Sequence, residues 1–454
     1  MMMMADLVIR NAAAVVTDWT QPPILNAWLA VSDGRIEGAG TGMAPSARET
    51  IEARNCLIAP GFVAAHHHLS QGASRGLQAP DGLLGWLEVH YRAWARMTPE
   101  DVRGAASASL AQLALGGCTT VAGFEYLHPV DEDFVTPVVE AAEQIGLRLT
   151  YVRGCAPRLE GRLAEVLAAT GTDLRRLLEP EDLAIARTRE TLARPSTETL
   201  RWACGPTTPV LDDDGAFHSR LSELADEFQV GMHTHFHPLP GSLAEGETAF
   251  DLARRVGLVR PGNWFAHGSA LTTRDVHELG RAGVGVVHNP SCSILLGYPV
   301  PPLAQWCAGN DRVSVSVDGA ASNDRAGMLG EAQLTWQLQR AMQDAGGPGM
   351  LPSQALELAT AAGARTLGWQ DVGTLADGHF ADLAVWDLGT LEFAGIPSRA
   401  LRDPAWLLFR TFSGSRARDV LVGGRRVVSN GVLTGAHEGE VAEEVNRIAE
   451  RLYG

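Results

Sequence analysis

Short runs of apolar and β-branched residues alternate through the middle of the chain with longer segments whose apolar residues recur at helical spacing. The helical segment 108–117, for example, leads into the run 119–125 (TTVAGFE). Strands that alternate with helices favour parallel pairing through βαβ units. The predicted strands are 57–68, 119–125, 148–154, 200–206, 229–237, 263–268, 283–290 and 312–319. Eight such units in succession predict an α/β fold with a closed (β/α)₈ barrel of the TIM type.

Each of these runs ends in polar side chains. In a (β/α)₈ barrel the reacting groups lie at the C-terminal ends of the strands. The chain has 14 histidines, and many of them gather at these ends. The polar residues at the strand ends are His66, His68, Glu125, Arg153, His233, His235, His267, His288 and Asp318. Their clustering predicts one site at one end of the barrel.

The two flanks of the barrel have a different pattern, with short β-type runs separated by turns. Examples are "DLVIRNAAAVVT" near the beginning and "DVLVGGRRVVSNGVL" near the end. Neither flank holds enough strands for a domain of its own, so we predict that they form one small β-sandwich together. The predicted domains are residues 1–57 for the first part of the sandwich, 58–368 for the barrel, and 369–454 for the second part and a C-terminal helix.

The composition excludes several classes of partner. A net charge of −16 without clustered Lys and Arg argues against nucleic acid. No apolar stretch approaches the roughly 18 residues that span a bilayer, and the beginning lacks the pattern of a signal peptide. The six cysteines include no CxxC pair, which favours reduced thiols in a cytoplasmic protein.

The first strand end carries a pair of histidines suited to a metal. Residues i and i+2 of a strand face the same side, so His66 and His68 project together while His67 points away. Two imidazole nitrogens are good ligands for Zn²⁺ or Fe²⁺. Two polar histidines on the rim of a barrel would give the same local pattern, so the pair alone does not decide between these interpretations.

Other strand ends add the rest of a candidate metal site. A second HxH motif, His233 and His235, ends the fifth strand, and His237 shares its face, so periodicity does not choose among the three. His267 and Asp318 end later strands. Three nitrogens and one carboxylate would leave a position for water, as a catalytic metal site requires. We therefore predict a catalytic divalent metal.

The remaining strand-end residues have alternative interpretations. Asp318 starts a turn-rich stretch and would also suit a helix cap. His267 is either a fourth nitrogen near the metal or a hydrogen-bond partner of the attacking water, and His288 is a pocket residue or a core histidine. Glu125 and Arg153 are candidates for substrate contacts or for ion pairs on the barrel rim.

Seven stretches, in the order of one family, are spread through nearly the whole chain. They are 59–76 (APGFVAAHHHLSQGASRG), 115–129 (LGGCTTVAGFEYLHP), 232–238 (MHTHFHP), 264–268 (WFAHG), 286–297 (VVHNPSCSILLG), 316–324 (SVDGAASND) and 373–387 (GTLADGHFADLAVWD). In this order they resemble the amidohydrolase superfamily. The similarity is greatest to its subgroup of triazine hydrolases and cytosine, guanine and 8-oxoguanine deaminases.

The resemblance implies one metal, zinc or alternatively iron, bound by His66, His68, His235 and Asp318. It also implies that His267 orients the metal-bound hydroxide, and a ligating Asp318 would take the proton of the attacking water. The residues that fall where relatives line the substrate pocket are Gln71, Tyr126, His288 and Asn323. Glu125, at its strand end, is a further candidate.

One position departs from the family pattern. The family has HxxE after the ligand of the fifth strand, and that Glu passes a proton to the substrate. Here the third residue after His235 is Pro238. Candidates for a replacement are His237, Glu125 and Glu245. A positioned general acid contributes about 10²–10⁴-fold to a rate, so its loss would slow the reaction without removing its main driving group.

The sequence therefore predicts a mononuclear metal-dependent hydrolase of the amidohydrolase type. It would use metal-bound hydroxide to displace an amino group from a purine, pterin, pyrimidine or s-triazine. The alternatives are dechlorination of a triazine, hydrolytic ring opening of a cyclic amide and, outside enzymes, a metal-free scaffold. The expected partners are a small heterocyclic substrate and further copies of the chain, with neither nucleic acid nor membrane.

Overall fold

The computed structural model describes residues 4–77, 82–159, 161–209, 215–237, 243, 245–343, 349–411 and 416–454. Within these ranges, helices alternate with the strands of two parallel four-stranded sheets, and a nine-stranded sheet combines both ends of the chain. The fold is thus of the α/β class. None of the helices in these ranges has both the length and the apolar composition that a membrane span requires.

The elements have the following bounds. The strands are β1 (Ala5–Val15), β2 (Ile24–Ser32), β3 (Arg35–Thr41), β4 (Ala47–Glu52), β5 (Cys56–Pro60), β6 (Phe62–His67), β7 (Cys118–Glu125), β8 (Arg148–Cys155), β9 (Leu200–Pro206), β10 (His233–Phe236), β11 (Trp264–His267), β12 (Gly285–His288), β13 (Val313–Val315), β14 (Leu383–Asp387), β15 (Asp419–Val422), β16 (Arg425–Ser429) and β17 (Val432–Leu433). The α-helices are α1 (Gly82–Trp94), α2 (Pro99–Leu115), α3 (Val135–Ile145), α4 (Gly161–Ala169), α5 (Glu181–Leu192), α6 (Ala216–Glu227), α7 (Ala249–Arg255), α8 (Thr273–Arg281), α9 (Pro290–Leu295), α10 (Leu303–Cys307), α11 (Met328–Ala341), α12 (Pro352–Leu358), α13 (Ala361–Thr366), α14 (Pro404–Thr411) and α15 (Glu438–Tyr453).

Strands β6 to β13 correspond, in order, to the eight predicted runs. β6–β9 pair in parallel as one sheet and β10–β13 as another. A single parallel bridge between Cys204 and Met232 links β9 to the strand region of β10. Across the other gap, the Ser316 hydroxyl donates to the carbonyl oxygen of His66 at 2.7 Å. The strands thus follow the order of a barrel, while their hydrogen-bonded ladder is divided into two halves.

The first predicted run, 57–68, is two strands rather than one. It breaks at Gly61, whose amide donates to the Asp382 carbonyl oxygen at 3.0 Å. A Cβ on Gly61 would lie 2.3 Å from the Thr119 side chain, so only glycine fits this close approach. β5 before the break is buried in the terminal sheet, and β6 after it is buried in the parallel sheet. Because both halves are apolar, the sequence pattern alone does not reveal the break.

The nine-stranded sheet is built from β1–β5 and β14–β17. β5 and β14 join its two parts by antiparallel pairing. One face of this sheet encloses an apolar core to which both ends of the chain contribute, including Ile9, Leu29, Ile58, Leu383 and Leu421. Neither end of the chain could bury these side chains without the other.

A buried ion pair joins β8 to the residue that precedes β14. The Arg148 guanidinium donates to both carboxylate oxygens of Asp382, at 2.6 and 2.9 Å, and both side chains are only 1% exposed. Replacing Asp382 by Asn would leave the guanidinium without a buried counter-charge. We expect the free energy of unfolding, measured by urea denaturation, to fall by about 3–5 kcal/mol.

The matched control for this prediction is Asp131→Asn. Asp131 pairs with Arg175 at 3.2 Å on the surface, where the two side chains are 74% and 69% exposed. A surface pair of this kind contributes about 0–1 kcal/mol. Equal effects of the two substitutions would contradict a special role for the buried pair.

Candidate metal centre

Four side chains from three strand ends converge on one point. His66 lies in β6 with His68 just after it, His235 lies in β10, and Asp318 follows β13. The Nε2 atoms of His66 and His68 lie 3.1 and 3.3 Å from Asp318 Oδ1. His235 Nε2 lies 3.0 Å from His68 Nε2. The predicted metal-ligating side chains are thus in mutual contact.

The outer nitrogens of two of these histidines contact backbone carbonyls. His68 Nδ1 lies 2.6 Å from the oxygen of Phe124, and His235 Nδ1 lies 2.9 Å from the oxygen of Thr207. A carbonyl oxygen only accepts hydrogen bonds, so each of these rings, when neutral, carries its proton on Nδ1. Each ring then presents the Nε2 lone pair to the centre, which is the form that binds a metal.

His66 is oriented through a second histidine. His233 Nδ1 contacts the carbonyl oxygen of Trp264 at 2.8 Å, so the proton of His233 lies on Nδ1. Its Nε2 therefore accepts from His66 Nδ1, again at 2.8 Å. His66 is left with its Nε2 lone pair toward the centre. Of the three histidines that periodicity leaves open, His233 lies behind His66, His235 reaches the centre, and His237 lines the neighbouring cavity.

The electrostatics of this group fit a bound cation. Burial lowers the pKa of His66 to about 3 and that of His235 well below its usual value, so both rings are neutral at pH 7. Burial also opposes protonation of His68, but contact with Asp318 outweighs it and raises the pKa of that ring. Burial opposes ionisation of Asp318, but contacts with His66 and His68 outweigh it and hold the pKa of that carboxyl well below its usual value. His66 Nε2 and Asp318 Oδ1 are buried without a hydrogen-bond partner among the described residues. Facing lone pairs beside a carboxylate repel one another unless a cation lies between them, and this N₃O set suits Zn²⁺ or Fe²⁺.

Two residues of the centre have a left-handed backbone. His267 has φ 70° and Asp318 has φ 62°, a conformation that is uncommon for residues other than Gly and that Asn, Asp and His adopt more often than other residues. Gly319 follows Asp318, and a Cβ there would lie 1.8 Å from Gln71 Oε1. The close fit around Gly319 helps to hold the chain in the course that directs Asp318 inward.

His267 approaches the centre as a hydrogen-bond donor. Its ring stacks on that of His235 at 5.6 Å with an interplanar angle of 18°. The ligand atoms of His66, His235 and His267 lie within 4.8 Å of one another. The Asn289 side-chain amide lies 3.2 Å from His267 Nδ1. With that amide donating, the imidazole proton lies on Nε2.

Sequence reasoning missed two residues beside Asp318. Ser322 Oγ donates to Asp318 Oδ2 at 2.9 Å. Burial and then the charge of Asp318 raise the pKa of Cys292 well above its usual value, so this thiol stays protonated. Both occur in stretches quoted for the family resemblance, but no spacing rule connects them to a strand end. Only the three-dimensional fold brings them to the centre.

A cavity of about 210 Å³ opens beside the centre. Its walls are largely apolar and include Leu83, Leu84, Trp86 and Leu87 from α1, together with Leu159, Leu163, Tyr126 and Tyr298. Among its described lining residues, Asp318 is the only carboxylate, and no Arg or Lys is present. A larger cavity of about 320 Å³ lies among charged residues such as Arg153 and Arg187, and its described lining includes none of the four side chains of the centre. The cavity at the centre suits an uncharged ligand with apolar surface.

Residues 57–427 match the sequence model of the amidohydrolase family. This range includes both parallel sheets and all four side chains that meet at the centre. The chain belongs to the amidohydrolase family. The family membership predicted from the sequence is thereby confirmed.

Relatives of this amidohydrolase include an 8-oxoguanine deaminase from Pseudomonas aeruginosa, 32% identical over 422 residues that cover 90% of each chain. An isoxanthopterin deaminase from an unknown prokaryotic organism is 30% identical and covers 98% of this chain and 96% of its own. Among solved structures, a mutant of the atrazine chlorohydrolase from Arthrobacter aurescens TC1 was crystallised with zinc and atraton. It has a TM-score of 0.87 at 25% identity and covers 98% of this chain and 100% of its own. The predicted enzyme class, a hydrolase of the amidohydrolase type, is confirmed.

The residues expected to contact substrate do not all line the cavity of this amidohydrolase. Tyr126 lines it. Gln71 and Glu125 line a separate void of about 20 Å³. Glu125 accepts the Leu69 amide at 2.6 Å and the Ser70 hydroxyl at 2.5 Å, so its carboxylate holds the turn after His68.

Asn323 and Arg153 are bound to other groups of the protein, and His288 lies in the core. The Asn323 amide nitrogen donates to the Val317 oxygen at 2.9 Å and to Glu331 at 3.0 Å. His288 is buried at the end of β12, where burial lowers its pKa to about 3. Neither residue is among the described residues that line the cavity. Arg153 forms a buried ion pair with Glu179 at 2.5 Å.

The three candidates to replace the glutamate of the family's HxxE pattern lie at different places in the structure. Pro238 itself lies outside the described residues. His237 lines the cavity, and its ring stacks on that of Tyr298 with centroids 3.6 Å apart. Its Nδ1 is hydrogen-bonded to Ser269. Glu245 is exposed, and Glu125 has the local partners given above. Of these three candidates, His237 is the one that reaches the cavity.

Proposed function

We propose that this amidohydrolase removes an amino group, or another leaving group, from a nitrogen heterocycle by hydrolysis. One divalent metal would be held by His66, His68, His235 and Asp318. The observation that carries the proposal is the convergence of the Nε2 atoms of three histidines and a charged carboxylate beside a largely apolar cavity. The names of the relatives, two deaminases and a chlorohydrolase of ring compounds, support the substrate class. Zinc in the atrazine chlorohydrolase structure favours zinc over iron.

When bound at such a site, a divalent metal lowers the pKa of water to about 7 and acts as a Lewis acid. The side chains of the chain supply the remaining functions. Asp318 takes the proton of the attacking water, while Ser322 holds its second carboxylate oxygen. His267 donates a hydrogen bond from Nε2 toward the same point and so orients the water. The apolar walls exclude bulk water around the reacting ring.

We further propose that His237 assists the leaving group in place of the family glutamate. It lines the cavity and follows the ligand His235 by two residues. Burial lowers the pKa of His237 to about 4, so the ring is neutral at pH 7. A neutral imidazole donates a hydrogen bond more readily than a full proton. This favours leaving groups that need little protonation.

The cavity also indicates what kind of heterocycle is bound. A ring with charged substituents would find no opposite charge besides Asp318 among the described lining residues. Apolar substituents would contact the leucines of α1, and each buried methylene is worth about 0.8 kcal/mol, or about fourfold in affinity. We therefore propose an uncharged ring and expect apolar ring substituents to improve kcat/KM.

The test is ammonia release by the zinc-loaded protein across aminated purines, pterins, pyrimidines and triazines, each with and without alkyl substituents. We expect turnover of at least one ring class, with higher kcat/KM for its alkylated member. Chloride release from chlorinated triazines and loss of the ultraviolet band of the ring, measured in parallel, identify dechlorination and ring opening. Full zinc occupancy without turnover by any of these assays would contradict the proposal. Failure to retain zinc would favour a scaffold.

The finer features of the fold and assembly are proposals as well. We propose that the two parallel sheets act as one closed (β/α)₈ barrel, supported by the Cys204–Met232 bridge, and that the terminal sheet folds as a β-sandwich around its shared core. The domain limits proposed are 1–57, 58–368 and 369–454. The six cysteines are free thiols, which supports a cytoplasmic location. Light scattering would test the proposed homo-oligomer.

A further inference from the structure

Helix α1 forms one wall of the cavity and has to be held in place. Leu83, Trp86, Leu87 and Tyr91 of this helix line the cavity. α1 contacts the rest of the site through the Trp86 indole, which donates a hydrogen bond to the carbonyl oxygen of Ala321 at 3.0 Å. The position of α1 sets how much room a bound ring has.

The next contact of α1 is through His90, which is buried and is not among the described residues that line the cavity. Its ring packs between those of Trp86 at 4.8 Å and Trp94 at 5.1 Å. His90 Nδ1 lies 2.9 Å from the hydroxyl of Tyr453, the last residue of α15. His90 thus connects a cavity-lining tryptophan to a residue more than 350 positions later in the chain.

The Tyr453 hydroxyl also contacts the segment that follows the ligand His68. It donates to Ser74 Oγ at 2.9 Å, and the Trp94 indole donates to the same oxygen at 2.9 Å. A hydroxyl has one proton, so His90 is the donor in its contact with Tyr453. Ser74 follows the 3₁₀ turn that begins just after His68. One partly buried hydroxyl therefore joins the wall of the cavity to the segment that follows His68.

The end of α15 is itself held firmly against α2. Arg451 forms an ion pair with Asp101, whose carboxylate also caps the first turn of α2. Ile448 packs onto Gly104 so closely that a Cβ there would lie 2.7 Å from its Cδ1. Leu452 is buried as well. These contacts fix the place from which Tyr453 reaches α1.

We propose that Tyr453 is a positioning residue of the substrate pocket, because its hydroxyl holds α1 against the segment after His68 and so sets the width of the cavity. The proposal rests on the proposed function in one respect, that the wall formed by α1 contacts the substrate. Burial raises the pKa of Tyr453 to about 12, so the hydroxyl keeps its proton through the neutral range. His90 Nε2 already lacks a partner among the described residues. Without the tyrosine hydroxyl, Nδ1 would lose its partner too.

The test is Tyr453→Phe, which keeps the ring and removes the hydroxyl. In the zinc-loaded protein we expect KM to rise about three- to tenfold, the effect of one to two lost buried hydrogen bonds. We expect kcat to stay within about twofold and zinc content to stay unchanged. Amide hydrogen exchange should become faster in α1 (Gly82–Trp94) and remain unchanged in α5 (Glu181–Leu192). Ser74→Ala should act in the same direction, and the double variant should not add to it.

The matched control is Tyr151→Phe. Tyr151 is buried in β8, and its hydroxyl has no hydrogen-bond partner in the described part of the chain, so neither KM nor exchange in α1 should change. Unchanged KM and exchange in Tyr453→Phe, or faster exchange throughout the protein, would overturn the proposal. Hydrogen exchange requires neither metal nor substrate. A wild-type protein without turnover would therefore contradict the proposed function alone, and exchange in α1 would still decide the role of Tyr453.

Discussion

Replacing Asp318 with asparagine is expected to remove bound metal and turnover together. Asparagine has nearly the same size and tolerates the left-handed backbone of this position, φ 62°, so the fold should persist. The substitution removes the one negative charge that faces His66 and His68 at 3.1 and 3.3 Å. Three neutral imidazoles and an amide bind a divalent cation much more weakly than a set that includes a carboxylate.

The measurement is zinc per chain by mass spectrometry, together with kcat/KM on the best substrate of the panel. We expect little retained zinc and a loss of turnover of about 10³-fold or more, which corresponds to roughly 4 kcal/mol. The control is Asp377→Asn, an exposed carboxylate at a distant turn, which should change neither quantity. Full zinc content and full turnover in Asp318→Asn would remove Asp318 from the centre.

The architecture was predictable from the sequence where one local pattern determines it. The parallel strands β7 and β8 are buried at every position, and their short runs of β-branched and aromatic residues lead to the polar residues Glu125 and Arg153 at or near their ends. The break at Gly61 was not predictable, because both sides of it are apolar and buried. The Thr119 side chain, which leaves room only for glycine there, lies 58 residues away from Gly61 along the chain.

The candidate site shows the same limit in its details. His233 and His235 share one face of a strand, so periodicity cannot separate them. What separates them is the surroundings of Nε2, which faces His66 Nδ1 at 2.8 Å in His233 and lies 3.0 Å from His68 Nε2 in His235. Glu125 and Asn323 stand where substrate contacts were expected, but nearby backbone groups bind their side chains. Such partners become visible only when the strands are assembled.

The lack of the family glutamate affects which leaving groups the cavity would favour. A leaving group such as ammonia needs a proton, and the described lining offers one carboxylate, Asp318, which already contacts His66 and His68. His237 is neutral at pH 7 because burial lowers its pKa to about 4. A ring whose leaving group departs with little protonation would therefore be favoured. Apolar substituents on that ring would add binding energy from the leucines of the walls.

Replacing His267 with asparagine is expected to separate turnover from metal binding. Asparagine again tolerates the left-handed backbone, here φ 70°. The Asn289 amide donates to His267 Nδ1, so the imidazole proton lies on Nε2, and this nitrogen cannot offer a lone pair to a metal. We expect zinc content to be retained and kcat to fall about 10²–10⁴-fold, the usual contribution of a group that orients or transfers a proton.

The control for this substitution is His277→Asn in α8. His277 Nε2 contacts the Gln305 carbonyl oxygen at 2.9 Å near the surface, away from the cavity, and its loss should leave zinc and kcat unchanged. Loss of zinc in His267→Asn would place His267 among the ligands instead. The Asn289 side chain would then have to turn its oxygen toward Nδ1, so that the ring carries its proton there and Nε2 is free to bind. The zinc content of this one variant therefore decides both the role of His267 and the orientation of the amide behind it.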